Sequence, residues 1–273
     1  LARVHRAGSS AILRIEGWRA GKSAVRATCR QVASRLGFDP LLRRGGKTDH
    51  MRFLHHHPLY GASRTARLML AERNLVFFPK MELPWERHEE FLSMNPSGDV
   101  PVLVTEDGVV LAGTMVIAEF LEETEDQATS LIWGTPAERA EIRRLTSWFE
   151  DKFVREVGAP LLKERYIKRV SIRGNPSSEV MRAAMANLHN HLDYIDWLAE
   201  QGNWLAGKAM SLADLSAAAH LSVTDYFGDI DWDRHPEARQ WYAKIKSRPS
   251  FRDLLADVVA GLTPAAHYAD LDF

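Results

Sequence analysis

A run of three consecutive histidines, His55 to His57, is the first feature of this 273-residue sequence that could do chemistry. Imidazole nitrogens are common metal ligands, so the run raises the question of a metal site. Side chains alternate between the two faces of a strand, which would place His55 and His57 together and His56 apart. His189 and His191 lie two positions apart in a predicted helix and do not share a face. Two imidazoles without a nearby carboxylate or thiolate make a poor site, and we expect no metal site.

A second candidate lies near the start of the chain, where Gly21, Lys22 and Ser23 match the end of a phosphate-binding loop. That loop requires a glycine at the position of Glu16 and a strand in front of it. The sequence supplies neither. We therefore do not interpret this segment as a nucleotide site.

Residues 1–50, which contain this segment, differ in composition from the rest of the chain. They hold 11 Lys and Arg against three Asp and Glu, whereas the other 223 residues hold 24 against 33. The chain begins with Leu1, and its first methionine, Met51, directly precedes the first predicted strand. We expect residues 1–50 to be a basic extension outside the fold. An organelle transit peptide and a functional basic arm are the alternatives.

The composition of the remaining chain limits the possible partners and compartments. Its acidic balance argues against nucleic acid as a partner. A single cysteine, Cys29, excludes an intrachain disulfide framework and suits a reducing compartment. No apolar stretch reaches the roughly 18 residues that a membrane span needs.

Short apolar strands and amphipathic helices alternate between residues 51 and 124. Pro101 stands directly before the apolar run at residues 102–104, where it can start an edge strand but cannot donate to a ladder. The sequence EDG at residues 106–108 separates this run from a second one at residues 109–111, which indicates a hairpin. We predict a strand at residues 52–56, helices at residues 63–73 and 114–122, and a mixed sheet.

From residue 135 onward the sequence predicts helices and no strand. Thr135 with Glu138, and Ser211 with Asp214, form capping boxes that open two of these helices. We predict a linker at residues 127–133, a basic loop at residues 163–176, and helices at residues 177–200 and 211–227, followed by a helix that starts at Pro236.

Four segments of the chain resemble the glutathione transferases. They are NPSGDVPVL at residues 95–103, the helix entry at residues 111–121, NWLAG with SLAD at residues 203–214, and SRPSF at residues 247–251. The resemblance spans about residues 51–258. It implies a fold of the α/β plus all-α class: a thioredoxin-like βαβαββα domain at residues 51–124 and an all-helical domain at residues 135–258, with a tail at residues 259–273.

The same resemblance implies where glutathione would react. A hydroxyl or thiol near the start of the first helix stabilises the glutathione thiolate in this family. Only Ser63 and Tyr60 offer a hydroxyl here, and Ala62 stands where bacterial Cys-type members have cysteine. Both are weak catalytic candidates, because Ser63 would also serve as a helix cap and Tyr60 as a packing residue.

The resemblance also implies where the rest of the tripeptide would bind. The backbone at Val100-Pro101, whose peptide bond is cis in the family, would hold the cysteinyl part, and Thr114 at the start of a helix would face the γ-glutamyl end. Gly113 replaces the acidic or amide residue of the family. The missing charge-assisted hydrogen bond is worth roughly 1.5–3 kcal/mol. We therefore expect a degraded site, no required cofactor, and glutathione only as a possible substrate.

One subgroup of the family is more similar still, the FzlA-type proteins of α-proteobacteria. The similarity lies in LPWER at residues 83–87 and in the acidic, aromatic tail HYADLDF at residues 267–273. It implies a cytoplasmic homodimer that binds the division protein FtsZ and supports constriction, through a surface that these motifs do not identify. The tail would either dock on a partner or pack on its own helical domain. The alternative function is an active glutathione S-transferase that conjugates glutathione to small electrophiles.

Overall fold

The computed structural model describes residues 51–172 and 174–271, so the predicted extension at residues 1–50 lies outside the described part of the chain. The first half contains a four-stranded sheet with the strand order β2-β1-β3-β4. β1 is parallel to β2 and antiparallel to β3, and β3 is antiparallel to β4. The elements are β1 (Arg52–His56), α1 (Gly61–Glu72), β2 (Phe77–Met81), α2 (Glu89–Met94), β3 (Val102–Val104), β4 (Val110–Ala112) and α3 (Thr114–Thr124).

Every element of the second half that the structure describes is helical. α4 continues without a break through a π-helical segment and a short α-helical turn into a second π-helical segment. The elements are α4 (Pro136–Ser147), the first π-helical segment (Trp148–Gly158), α5 (Ala159–Leu162), the second π-helical segment (Lys163–Ile172), α6 (Ser178–Gln201), α7 (Leu212–Phe227), α8 (Pro236–Lys246) and α9 (Arg252–Leu255). The predicted fold class, a thioredoxin-like sheet domain followed by a helical domain, is confirmed.

The basic loop predicted at residues 163–176 is wrong over most of its length. Residues Lys163–Ile172 continue the long helix, and only a short connection precedes α6. Tyr166 is buried in an apolar cluster with Leu59 and Tyr226, which fixes the inner face of this segment. The Glu164 carboxylate accepts a hydrogen bond from the Lys168 ammonium, one helical turn later in the chain. It also accepts the backbone N–H of Ser177, next to the start of α6.

α7 is the centre of the molecule and is buried along almost its whole length. Gly61 at the start of α1 lets the two helices approach closely, because a Cβ at this position would lie 2.0 Å from the His220 ring. The capping box predicted at Ser211 and Asp214 is present, and Asp214 also accepts the indole N–H of Trp241 at 3.0 Å. This helix therefore joins the two halves of the fold.

The tail packs on the helical domain instead of extending away from it. Tyr268 has no exposed surface, and its ring meets that of Tyr226 edge-on at 5.0 Å between centroids. The backbone N–H of Ala265 donates to the Tyr226 carbonyl at 3.0 Å, and the Tyr226 hydroxyl donates to the Leu262 carbonyl at 3.1 Å. Of the two interpretations of the tail, self-packing describes residues 262–268.

None of the helices in the described residues combines the length and the apolar character required to cross a membrane.

Candidate functional site

The predicted glutathione residues lie at three neighbouring chain segments. Tyr60 directly precedes α1, Val100 and Pro101 precede β3, and Gly113 and Thr114 are at the start of α3. Tyr60 packs against the cluster that contains Val100. The backbone N–H of Gly113 donates to the Pro101 carbonyl at 2.9 Å. The fold therefore brings these segments together.

The backbone at two of these positions has the unusual geometry that the site would need. The Val100-Pro101 peptide bond is cis. Gly113 has a φ of +95°, a left-handed conformation that strains other residues, although its missing side chain would meet no atom within 4 Å. An acidic or amide residue at this position would therefore fit in space but would strain the backbone.

Ser63 lies inside α1 and does not cap it, because the helix already begins at Gly61. Its side chain is fully buried, and its hydroxyl oxygen accepts the backbone N–H of His57 at 3.2 Å. This hydrogen bond fixes the end of β1 against the first turn of α1. The hydroxyl therefore has an internal structural role.

Tyr60 offers a hydroxyl on a side chain that packs against the cluster containing Val100. Burial, with a smaller contribution from the Asp99 carboxylate, raises the pKa of Tyr60 to about 12. The hydroxyl is therefore protonated at neutral pH and can donate a hydrogen bond, but it does not act as a base there.

Thr114 contacts a carboxylate that belongs to the chain itself. Its hydroxyl donates to Glu150 Oε2 at 2.9 Å. Glu150, from the first π-helical segment, also accepts the hydroxyls of Thr65 at 2.9 Å and Ser216 at 2.8 Å, and His220 Nε2 lies 3.3 Å away. The position that would receive the glutathione carboxylate therefore already faces a negative charge.

The charge on Glu150 is stabilised by its neighbours. Burial acts to raise the pKa of this carboxyl, but His220, Ser216 and Thr65 outweigh it and hold the pKa below its usual value. Because Thr65 and Thr114 belong to the sheet domain and Ser216 and His220 to the helical domain, Glu150 bridges the two halves of the fold.

His57 occupies an aromatic cage where the two domains meet. Its ring lies 5.4 Å from Tyr60, 5.3 Å from Trp85 and 5.7 Å from Tyr166, measured between centroids. Burial, with a smaller contribution from Arg64, lowers the pKa of His57 to about 4. The neutral ring accepts the backbone N–H of Leu59 at Nδ1. The chain's own imidazole therefore fills the apolar space beside Tyr60.

Two of the buried histidines, His56 and His57, should make the protein less stable in mild acid. Burial and then Arg67 lower the pKa of His56 to about 3. Since an unfolded histidine titrates near its model value of 6.5, the unfolded state binds protons below that pH while the folded state does not. We expect His56 and His57 each to cost about 2 kcal/mol of unfolding free energy between pH 7.5 and pH 5. Denaturant unfolding at both pH values measures the loss.

The control is His57→Phe, which keeps an aromatic ring in the cage but cannot bind a proton. We expect this variant to lose about 2 kcal/mol less than the wild type over the same pH interval, whatever its stability at pH 7.5. An unchanged pH dependence in the variant would contradict the assignment of this loss to His57.

Arg64, in the first turn of α1, connects the chain at Pro58 to Tyr268 in the tail. Its Nη1 donates to the hydroxyls of Ser222 and Tyr268, both at 2.7 Å, and its Nε donates to the Pro58 carbonyl at 2.5 Å. The Tyr268 hydroxyl in turn donates to the Leu254 carbonyl at 3.0 Å. The tail therefore takes part in positioning the start of α1.

His55 and His235 each have a carboxylate partner within the fold. The expectation that no carboxylate lies near His55 was wrong, because Glu82 Oε1 is 2.6 Å from its Nδ1. Among the described residues, Asp193, Asp196 and His235 also bring one ligand atom each within 4.8 Å of one another. His235 Nδ1 lies 2.8 Å from Asp196 Oδ2, and Asp196 Oδ1 accepts the backbone N–H of Ala238 in the first turn of α8. Asp196 therefore caps the start of α8, and His235 holds its carboxylate in place.

Few features of the sequence indicated Glu150, His57 and Arg64 as site residues. Glu150 lies in a predicted helix among charged residues, and its hydroxyl donors come from three distant segments. Arg64 follows Ser63 in a predicted helix, where a long basic side chain is normally exposed. The one available signal was the proline after His57, which ends the strand and turns the chain at this histidine.

Comparisons with known proteins agree with this geometry. Models of the glutathione S-transferase N-terminal and C-terminal domains match residues 62–124 and 175–257. FtsZ-localized protein A of Caulobacter vibrioides (strain NA1000 / CB15N) is 50% identical over 225 residues, which cover 81% of this chain and 98% of that protein.

Two solved structures match this chain at about the same sequence identity. A glutathione S-transferase from Rhodospirillum rubrum F11 has 50% identity and a TM-score of 0.79, and the match covers 82% of this chain and 100% of that one. FzlA from C. crescentus has 49% identity and a TM-score of 0.79 with the same coverage. The likeness therefore extends over nearly all the described residues.

Proposed function

The chain belongs to the glutathione S-transferase family, and from this premise we propose that it is an FtsZ-binding protein of cell division in which glutathione chemistry is degraded. The observation that carries the proposal is the 50% identity over 225 residues to a protein named for its localisation with FtsZ. We propose a cytoplasmic homodimer that requires no cofactor and whose partner is a protein and not a nucleic acid.

The condition of the glutathione site supports this proposal. Gly113 cannot supply the side chain that would hold the γ-glutamyl ammonium, and the Thr114 hydroxyl donates to Glu150. Ser63 is buried and accepts a backbone N–H. Three of the six predicted site residues therefore lack a group that could hold glutathione, or use that group within the fold.

Binding to polymerised FtsZ tests the proposal. We expect the purified protein to sediment with FtsZ polymers formed with GTP and to stay in the supernatant when GTP is omitted. Absence of the protein from the polymer pellet over a range of concentrations would contradict the proposed function.

An active glutathione S-transferase is the second candidate, and the geometry around Tyr60 favours it. The Tyr60 side chain packs against the cluster that contains Val100, and its protonated hydroxyl is a group that could donate a hydrogen bond to a thiolate. Retention on immobilised glutathione, with conjugation of an electrophile that Tyr60→Phe or Ser63→Ala abolishes, would establish this activity. We expect neither retention nor conjugation.

The proposed dimer has a candidate surface at the β4 edge of the sheet. Val109 and Val110, next to and in β4, and Val116, in α3, are 44%, 37% and 51% exposed. Clusters of exposed apolar side chains mark interaction surfaces, and these three lie within residues 109–116. We expect Val116→Glu to convert a dimer into a monomer in size-exclusion chromatography with light scattering.

Val258→Glu is the matched control for this substitution. Val258 is 84% exposed and lies next to the tail, far along the chain from β4. We expect this variant to have the same mass as the wild type. A dimer that survives Val116→Glu would place the dimer contact elsewhere.

A further inference from the structure

Two carboxylates and two imidazoles meet between α6 and the start of α8. His189, Asp193 and Asp196 follow one another at intervals of four and three residues, which places them on one face of α6. His235 directly precedes α8 and is only 1% exposed. The two helices therefore bring these four side chains into one group.

The His235 imidazole faces both carboxylates with the same nitrogen. Its Nδ1 lies 2.8 Å from Asp196 Oδ2 and 3.5 Å from Asp193 Oδ1. Among the described residues, Asp193 has no other hydrogen bond or ion pair. Two negative groups directed at one nitrogen lone-pair position form an environment that favours a cation.

The three potential ligand atoms have the spacing of a zinc site. The Nδ1 atom and the two carboxylate oxygens all lie within 4.8 Å of one another. A tetrahedral Zn²⁺ with bonds of about 2.0–2.1 Å keeps its ligand atoms about 3.3 Å apart. The 3.5 Å distance to Asp193 fits this geometry, and the 2.8 Å distance to Asp196 needs to lengthen by only about 0.5 Å.

An ion at this position leaves the helix cap of α8 intact. The cap uses Asp196 Oδ1, which accepts the backbone N–H of Ala238, whereas the ligand atom is Oδ2. The positive N-terminal end of α8 opposes a cation, but this effect weakens binding by about fivefold at most. Two carboxylates in direct contact with the ion outweigh it.

His189 supplies the hydrogen bond that a metal-bound histidine makes through its second nitrogen. Its Nδ1 lies 3.2 Å from His235 Nε2, the nitrogen that does not face the carboxylates. Without an ion, Arg234 donates to His189 Nε2, so both imidazoles carry their proton on Nδ1. With an ion on His235 Nδ1, both protons lie on Nε2 and the exposed Arg234 side chain turns into solvent. Each imidazole keeps one proton in either state.

We propose that Asp193, Asp196 and His235 bind one Zn²⁺, with His189 as the hydrogen-bond partner of His235 and water in the fourth position. An imidazole with two carboxylates suits this ion, and the Asp193 side chain, 71% exposed, gives it access from solvent. The ion joins α6 to the start of α8. This proposal departs from the sequence-based expectation of no metal site, which considered only histidines close together in the sequence. The site uses none of the residues on which the proposed function depends.

Zinc competition with a chromophoric chelator tests the proposal on the full chain. We expect the wild type to bind one Zn²⁺ at this site and to melt at a higher temperature with it. Asp193→Ala removes an exposed ligand but not the helix cap, and should weaken zinc binding about tenfold or more. His189→Ala should weaken it about tenfold through the lost hydrogen bond. Asp233→Ala, the matched control, removes an exposed carboxylate two residues before His235 and should bind zinc like the wild type.

Cobalt substitution identifies the ligand atoms. We expect bound Co²⁺ to give visible d–d bands without a sulfur charge-transfer band in the near ultraviolet. A sulfur band would place the ion on Cys29 and overturn the assignment. No zinc uptake by the wild type, or equal zinc affinity of the wild type and Asp193→Ala, would also overturn it. Equal melting temperatures of these two proteins without metal would show that the lost binding is not a loss of folding.

Discussion

Replacing Tyr268 with alanine is expected to lower the unfolding free energy by about 3–5 kcal/mol, although this residue lies only five positions from the end of the chain. The ring is fully buried between elements of the helical domain. Its hydroxyl joins Arg64, in the first helix, to the Leu254 carbonyl. The alanine variant leaves a cavity and removes one hydrogen-bond partner from a buried guanidinium. Guanidinium chloride denaturation measures the change.

Two further substitutions separate packing from hydrogen bonding. Tyr268→Phe keeps the ring and removes only the hydroxyl, so we expect a loss of about 1–3 kcal/mol. Leu271→Ser changes a side chain that is 42% exposed and should lie within about 0.5 kcal/mol of the wild type. A loss below 1 kcal/mol for Tyr268→Ala would show that the tail contributes little to the core.

The expected contribution of Tyr268 to stability limits how partner binding by the tail can be tested. Deleting residues 261–273 removes Tyr268 together with the exposed end of the chain. Loss of FtsZ binding by such a truncation would therefore not distinguish a lost docking segment from a disturbed fold. Substitutions at exposed tail positions such as Leu271 avoid this ambiguity.

The sequence predicted those elements whose signals are local. β1 occupies the predicted residues 52–56, the hairpin turns at Gly108, and both capping boxes are present. Each depends on residues within four positions of one another, and such signals survive in any tertiary setting. The helix at Lys163–Ile172 was missed because its basic composition resembles a loop, and only tertiary contacts such as those of Tyr166 stabilise it.

The candidate site was predictable in position but not in chemistry. Its location follows from the segment around Pro101 and from the starts of two helices. The state of its hydroxyls depends on partners far along the chain: Thr114 meets Glu150, and Ser63 meets the end of β1. A hydroxyl that caps, catalyses or binds a buried carboxylate has the same appearance in a sequence, so only the fold could distinguish these roles.

The exposure of three apolar residues around β2 was missed for a related reason. Val76, Phe78 and Met81 belong to an apolar segment that the sequence assigns to the sheet domain, and apolar strand residues are normally buried there. Their exposure is consistent with the position of β2 at the end of the strand order. The strand order depends on pairing between distant segments and is not local in the sequence.

Glu150→Ala is expected to be the other severely destabilising substitution, with a loss of about 3–5 kcal/mol. The carboxylate side chain is only 12% exposed and receives hydroxyls from both domains. Its removal leaves the hydroxyl donors Thr65, Thr114 and Ser216 without their acceptor. It also leaves a cavity beside the His220 ring. The folded state holds the pKa of Glu150 below its usual value, so its contribution is present at neutral pH and is lost as the pH falls below the unfolded value of 4.5.

Asp151→Asn provides the matched control one residue further along the same helix. The Asp151 carboxylate pairs with Arg155 at 2.9 Å, but both side chains are 64% exposed. Because exposed ion pairs contribute little, we expect no measurable change in the unfolding free energy. Glu150→Gln keeps the side-chain volume and one acceptor oxygen and should fall between the two. Equal stability of Glu150→Ala and Asp151→Asn would refute the role of Glu150 as the link between the domains. The hydrogen bond to Glu150 would then not explain why the Thr114 hydroxyl is kept from binding a ligand.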